Sequence, residues 1–335
     1  MAVASERFSG CLIGQCLGDA LGFPVEGMEP ETCQRYVQDY VRPKRIPPGR
    51  AGFTFGQYTD DSQLARELIR SYVARHGFYP ADYARRIADL FREGRIVGQG
   101  RATAEAARRL ILGIHWDEAG TPAPSAGNGS AMRAGPIGLF FYDDRQKLVQ
   151  AAVQQSIITH QDPRCQAGSV VIAGAVALAV QAQYVEAGAF LSTLAEWAEL
   201  VEPGMAEHLR RLRDEWLALP PEQAAKPISR AGRAEDFGWQ GISPFVVGSV
   251  LWSLYAFLRT PHDYWATICT AIEVGGDVDT TAAMAGAISG ALVGLGGIPH
   301  TLARHVHDQG SWRYEALVNL ALECHAVKHH HGTRL

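Results

Sequence analysis

The sequence predicts an all-α protein, a compact and roughly orthogonal packing of a dozen or more helices. Apolar residues recur at three- and four-residue spacing through most of the chain, which is the period of one helix face. Alternating strand patterns bounded by hairpin turns are hard to find. Three stretches, Cys165–Val185, Phe237–Leu258 and Thr280–Pro299, contain no Asp, Glu, Lys or Arg, as helices buried on all sides do. Each is long enough for a membrane span of about twenty residues. Gly, Ser, Gln, Thr or Pro dilute them, so the interior of a soluble bundle is expected and no membrane partner.

The elements follow in order. Gly10, Gly14, Gly18 and Gly22 repeat every fourth residue and clear one helix face of side chains, letting another helix approach closely. That spacing also drives dimers in membranes, but Gln15 and Asp19 within it favour a packing face in a soluble domain. In the Pro- and Gly-rich loop that follows, the basic segment Arg42–Arg50 reads as solvated chain, the other reading being contact with substrate phosphates or acidic groups. Helical spacing resumes with Leu64, Leu68, Ile69 and Tyr72, then with Tyr83, Ile87, Leu90 and Phe91. Helices also fit Ala104–Leu112, Leu148–Ile158, Gly168–Tyr184, Phe190–Leu200 and Met205–Leu217. The last third adds Phe245–Leu258, Tyr264–Glu273, Thr281–Leu295 and Tyr314–Val327.

A chain of 335 residues, 47% hydrophobic, can bury a large core. No linker, long charge run or low-complexity stretch divides it, so one domain over residues 1–327 is expected, with residues 328–335 a disordered His-containing tail. A net charge of −4 gives no general attraction to nucleic acid or anionic lipid. The six cysteines are scattered without a Cys-x-x-Cys pair, and the N-terminus lacks the basic-then-apolar pattern of an export signal. Together these predict a reduced, cytoplasmic protein.

Two short acidic clusters carry the chemistry: Thr59-Asp60-Asp61-Ser62 and Gly275-Gly276-Asp277-Val278-Asp279-Thr280, each in front of an apolar helical pattern. Either one alone is explained by helix capping, since Ser, Thr and Asp satisfy orphan N–H groups at the positive end of the helix dipole. Together they offer four carboxylates and two threonine hydroxyls, more than two caps need. Four carboxylates balance two divalent cations; without metal they must repel one another or hold protons. Neither cluster has Cys or His at zinc spacing, so two Mg²⁺ or Mn²⁺ ions are expected, with calcium next. The clusters lie more than two hundred residues apart and must meet to share metals, which again argues for one domain.

Other motifs stand in a definite order around them: Gly14–Gly22 with Glu26, Gly98–Thr103, Gly127–Arg133 and Thr159-His160. With the acidic clusters, this series over Gly10–Gly290 resembles the ADP-ribosylglycohydrolase family. The resemblance implies an all-α fold with a binuclear metal centre held by Thr59, Asp60, Asp61, Asp277, Asp279 and Thr280. Val278, where many relatives have Thr, lies between ligands and puts little in doubt. The family likeness also makes Gly98, Gly100, Ser125, Gly127, Asn128, Gly129 and His160 contacts to the diphosphate and distal ribose; as residues alone, the glycine loops read first as ordinary turns. Arg133 and Asp19 read as internal ion pairs or caps, outside the site.

The implied reaction is hydrolysis of the bond between ribose C1″ of ADP-ribose and an acceptor, arginine or serine on a modified protein or another conjugate. Glu26, in a Pro- and Gly-shaped loop, is the candidate general acid/base or gate, and Asp61 and Asp279 join it as catalytic candidates. A dimetal phosphoester hydrolase is the rival enzyme reading. A non-catalytic ADP-ribose-binding relative is the third, and the intact aspartates argue against it.

Overall fold

The computed structural model describes residues 3–50, 52–233 and 238–330. Among these the chain forms α1 (Ser5–Gly22), α2 (Pro30–Tyr36), α3 (Asp60–Arg75), α4 (Pro80–Arg92), α5 (Arg101–Ile111), α6 (Gly135–Phe141), α7 (Arg145–Ile157) and α8 (Pro163–Gln181). It continues with α9 (Ala187–Glu199), α10 (Pro203–Arg211), α11 (Pro221–Arg230), α12 (Val246–Arg259), α13 (Tyr264–Glu273), α14 (Val278–Val293), α15 (His300–Ala303) and α16 (Tyr314–His330). Extended pairing among the described residues is limited to isolated bridges, so the fold is all-α as the periodicity predicts.

The centre of the molecule is the antiparallel crossing of α1 and α14. Gly10, Gly14, Gly18 and Gly22 lie against Gly290, Gly286, Ala282 and Asp279 in turn. A Cβ added at Gly14 would stand 2.3 Å from the Gly286 carbonyl oxygen, and one at Gly22 would stand 2.4 Å from Asp279 Cα. The two backbones therefore touch where side chains normally separate helices by 8–10 Å, the usual interaxial distance. Tyr264 on α13 donates its hydroxyl to the Gly14 carbonyl at 2.8 Å and closes the side of the contact. Helices α8, α12 and α13 pack around α14, while α3, α6 and α16 pack against α1.

Of the three uncharged stretches, the first lies in α8, which has the length and composition of a membrane span but is 78% buried within the protein over that window. The second and third form α12 and α14, both largely buried; Phe237 lies outside the described residues. Helix α8 starts at Pro163, five residues before the predicted start, because Asp162 caps it by accepting Arg164 N–H at 2.9 Å and Pro163 needs no hydrogen-bond acceptor there. Helices α2, α6 and α15 are too short for periodicity to reveal, and Pro227 inside α11 interrupts its helical pattern.

The tail expectation is corrected for Lys328–His330, which continue α16. Lys328 pairs with Asp143 and lies 4.9 Å from the Tyr142 ring centroid, and His329 packs on Phe8 and His325, so contacts hold the extra turn. Residues 331–335 lie outside the described part. The Arg42–Arg50 segment is mostly exposed, but its ends are tied to acidic groups, Arg42 to Glu273 and Arg50 to Glu26.

Gly14→Ala or Gly286→Ala should lower stability by about 1–3 kcal/mol or more, since the new methyl meets backbone that cannot rotate away. Gly296→Ala, where an added Cβ meets nothing within 4 Å, is the control. Thermal denaturation decides: equal melting temperatures for all three would show that the crossing tolerates separation.

Candidate active site

The α1–α14 crossing ends at the acidic clusters. Asp60 and Asp61 occupy the first two positions of α3, with Thr59 at its N-cap; Asp279 and Thr280 lie in the first turn of α14, with Asp277 at its N-cap. The expectation that the aspartates all stand in front of their helices is thus corrected: only Thr59 and Asp277 do. Helix α14 starts at Val278 rather than Thr281 and takes the others in.

Capping does not explain these side chains, because neither N-cap side chain caps its own helix. Asp19 of α1 caps α3 instead. It accepts Thr59 N–H at 3.0 Å, Ser62 N–H at 3.1 Å and the hydroxyls of Thr59 at 3.0 Å and Ser62 at 2.6 Å.

Carboxylate oxygens of Asp19, Asp61 and Asp279 lie within 4.8 Å of one another, and so do those of Glu26, Asp277 and Asp279. Asp279 belongs to both groups. Asp61 Oδ1 is buried without a hydrogen-bond partner in the described residues, a position that leaves its desolvation uncompensated. An all-oxygen donor set with an orphaned carboxylate oxygen fits hard divalent cations. Thr59 Oγ1 lies 2.8 Å from Asp61 Oδ2, and Asp60 Oδ2 faces Gly100 N–H at 3.4 Å.

A cleft of about 990 Å³ opens over the clusters. Its walls include Glu26, Asp60, Asp61, Asp277, Asp279 and Thr280 at one end and Gly98, Gly100, Ser125, Gly127, Asn128, Gly129 and His160 beyond them. Thr59 is buried beneath. A second cavity, of about 610 Å³ beside α2, α11 and α12, contains none of the clustered aspartates.

Isolated bridges hold the cleft loops in place: Gly276 to Met28 and Ile242, Gly127 to Phe245, and Thr121 to His160. Gly276, at φ 86°, makes the turn that delivers Asp277, and a Cβ there would meet the Ile242 carbonyl oxygen at 2.0 Å. The side-chain N–H groups of Asn128 are engaged within the protein, since Nδ2 donates to Asp277 Oδ2 at 2.5 Å and to Ser249 Oγ at 3.0 Å. Asn128 acts first on the acidic cluster.

Glu26 is half-buried, and one of its oxygens is 2.5 Å from Arg50 Nη1. Arg133 was expected in an ion pair or cap; among the described residues it makes no ion pair, but it donates to the Gln155 carbonyl in the last turn of α7, and also to Gln155 Oε1 and Thr159 Oγ1. The expectation that Asp19 acts as an internal cap agrees with its bonds to the start of α3, although its carboxylate also lies beside those of Asp61 and Asp279. Arg164, Phe245 and Trp239 line the cleft without any sequence signal.

Burial dominates the electrostatics. It drives Asp60, Asp61 and Asp279 well above the usual carboxylate range, with nearby carboxylates adding to it. Asp277 is pushed up to about 6 by burial, opposed by its bond from Asn128. Asp19 is raised to about 7 by burial, opposed by its bonds from Ser62 and Thr59. His160 moves the other way, down to about 3, through burial and then the charge of Arg133.

An all-α scaffold with clustered buried carboxylates at the end of a cleft is the arrangement of a hydrolytic site, and likeness to known proteins gives its class, the hydrolases that act on glycosidic bonds of ADP-ribose. The chain belongs to the ADP-ribosylglycohydrolase family, whose sequence profile matches residues 2–333. It is 30% identical to the ADP-ribosylhydrolase ARH3 of Bos taurus over 96% of this chain and 93% of that protein. It is 26% identical to the ADP-ribosylarginine hydrolase Tri1 of Pseudomonas putida over 88% of this chain and 73% of that one. A solved structure described as an ADP-ribosylglycohydrolase-related protein complex superposes with a TM-score of 0.74 at 26% identity, covering 97% of this chain and 98% of its own.

The raised carboxylates give a signed prediction. Folding raises their affinity for protons, so metal-free protein is stabilised at low pH and loses that stability as pH rises through the folded values. His160 contributes with the opposite sign, but only below its ordinary value near 6.5. Between pH 8 and 6.5 the melting temperature of chelated protein should therefore rise as pH falls. Mg²⁺ or Mn²⁺ should raise it more at pH 8 than at pH 6.5, where protons compete for the same oxygens. A metal-induced shift that is absent, or larger at the lower pH, would sink this account.

Proposed function

We propose that this ADP-ribose hydrolase depends on two divalent ions, Mg²⁺ or Mn²⁺, and removes ADP-ribose from a modified protein side chain. Arginine is the proposed acceptor and serine its rival. The observation that carries the reading is convergence: two acidic clusters from opposite ends of the chain and three separate glycine- or histidine-bearing loops line one cleft. The name of the Pseudomonas putida relative supports arginine. Six buried, unpaired thiols support a reducing, cytoplasmic setting.

Asp60, Asp61, Asp277 and Asp279, with Thr59 and Thr280, would hold the ions. When bound, the ions supply Lewis-acid stabilisation of charge at the ribose oxygens. Gly98, Gly100 and the Ser125–Gly129 loop seat the diphosphate. Within that loop the N–H groups of Ser125 and Asn128 are taken by the carbonyls of Pro122 and Pro244, so Gly127 and Gly129 offer theirs. In the reaction a water oxygen bonds to C1″, the bond from C1″ to the acceptor breaks, and the departing nitrogen or oxygen takes a proton. Positive charge develops at C1″, as in other glycoside cleavages. Glu26 sits where it can take the water's proton once its contact with Arg50 is released, and the same release would let its loop move over the cleft.

Asp279→Asn should cut turnover by orders of magnitude in a folded protein, because both carboxylate groups lose their shared member. Release of ADP-ribose from arginine-, serine- and glutamate-linked substrates, with Mg²⁺, Mn²⁺ or chelator, is the assay. Full activity after exhaustive chelation rejects metal dependence, and AMP in place of ADP-ribose as product selects the phosphoester reading.

Glu26→Gln should lower the chemical step by about 10²–10⁴-fold while leaving ADP-ribose affinity near the wild-type value, since it keeps shape and removes proton transfer. Wild-type turnover with an unchanged pH profile would reduce Glu26 to a loop residue.

A further inference from the structure

Arg133 is fully buried, yet none of its contacts among the described residues is to a carboxylate. Nε donates to Gln155 Oε1 at 2.9 Å, and Nη2 donates to Gln155 O at 2.9 Å and to Thr159 Oγ1 at 2.8 Å. Nη1 is buried without a hydrogen-bond partner, and Cζ lies 5.5 Å from the Tyr83 ring centroid. Holding a charge in such surroundings is expensive. Its one contact that leads on to the cleft is Thr159, whose Oγ1 is 2.8 Å from His160 Nδ1.

Thr159 Oγ1 has two lone pairs and could also accept from an Nδ1–H, but its own hydrogen would then have no acceptor among the described contacts, so one arrangement alone places every hydrogen. A guanidinium only donates, so Thr159 Oγ1 accepts from Arg133. The hydroxyl has one hydrogen of its own, and His160 Nδ1 is the neighbour positioned to take it. Nδ1 is then an acceptor, and the ring proton resides on Nε2. That nitrogen lies on the side of the diphosphate loop: a Cβ built at Gly127 would be 3.6 Å from Nε2, and one at Gly129 would be 3.2 Å from it. The charged groups acting on the ring are Arg133, which opposes its protonation, and Asp162, which favours it; burial outweighs both and keeps the ring neutral.

We propose that Arg133 and Thr159 are positioning residues that fix His160 as the neutral Nε2–H tautomer, so that His160 presents a hydrogen-bond donor to a substrate oxygen in the cleft. The other tautomer would present a lone pair there and repel a phosphate or ribose oxygen. Gln155 completes the device by orienting Arg133, while its own Nε2 donates to Ser130 O at 2.9 Å and Ser169 Oγ at 3.0 Å. The inference rests on reading the cleft as an ADP-ribose site, but the tautomer itself can be observed without any ligand.

The test uses the full chain with Mg²⁺, labelled with ¹⁵N-histidine, with the His160 ring signals assigned by their loss in His160→Gln. Wild type and Thr159→Ser should show one Nε2–H tautomer near neutral pH. Thr159→Val, close in shape but without the hydroxyl, should show the Nδ1–H form or an exchanging mixture and bind ADP-ribose about three- to ten-fold more weakly, the worth of one neutral hydrogen bond. Arg133→Met should do the same where it folds, and Arg133→Lys should restore part of both effects. An imidazolium or Nδ1–H ring in wild type, or a pure Nε2–H ring in Thr159→Val, overturns the proposal. So does a changed tautomer with unchanged ADP-ribose affinity. If wild type does not bind ADP-ribose at all, the proposed function fails, and the nitrogen spectra still decide whether Arg133 and Thr159 set the ring.

Discussion

The glycine-lined crossing of α1 and α14 is the constraint on which the site depends. Its last step places Gly22 against the backbone of Asp279, so the distance between the helices and the position of a proposed metal ligand are one quantity. Asp19 lies on the same helix and captures the start of α3 through the N–H groups of Thr59 and Ser62. Two helix N-termini are thereby brought to the C-terminal end of α1, and the acidic residues they carry converge. A side chain at Gly18 or Gly22 would force apart elements that otherwise touch through backbone.

Helix N-termini favour carboxylates and disfavour cations, so the convergence alone does not make a cation site. What would make it one is the absence of basic partners. The chain supplies arginines to Asp308 and Glu67 (Arg66), Asp82 (Arg75, Arg85 and Arg86) and Asp162 (Arg164), and it satisfies buried Asp19 with two backbone N–H groups and two hydroxyls. Among the described residues, Asp60, Asp61, Asp277 and Asp279 receive no arginine. Asp82 and Asp162 are held below the ordinary carboxylate range by their arginines, whereas the clustered aspartates are pushed above it. Divalent ions are the positive charge that would make such burial tolerable.

The fold was legible because its signals are periodic. The glycine stripe announced a close helix crossing before its partner helix was known, and the uncharged stretches announced buried helices. The acidic clusters were legible because each holds more carboxylates than a cap needs. What escaped was set by tertiary contact. The bond from Asn128 Nδ2 to Asp277, more than a hundred residues away, has no sequence signal. Arg133, read from sequence as an ion pair or cap, bonds the end of α7 at Gln155 together with Thr159 and lies by the Tyr83 ring. The pairing of Glu26 with Arg50 joins two loops whose sequences carry no sign of each other.

Asp19 shows why proximity must be weighed against satisfied valence. It lies within one of the carboxylate groups, but its two oxygens already accept two backbone N–H groups and two hydroxyls. Ligating a cation would require giving up bonds that tie α3 to α1. Asp61 Oδ1 has no such bond to give up, and Asp60 has only a long one from Gly100. Lone pairs left unspent by the fold therefore separate ligand from strut. Asp19 holds the frame, while Asp61 Oδ1 and the carboxylate of Asp60 are the oxygens the fold leaves least committed, the ones the proposed ions would take.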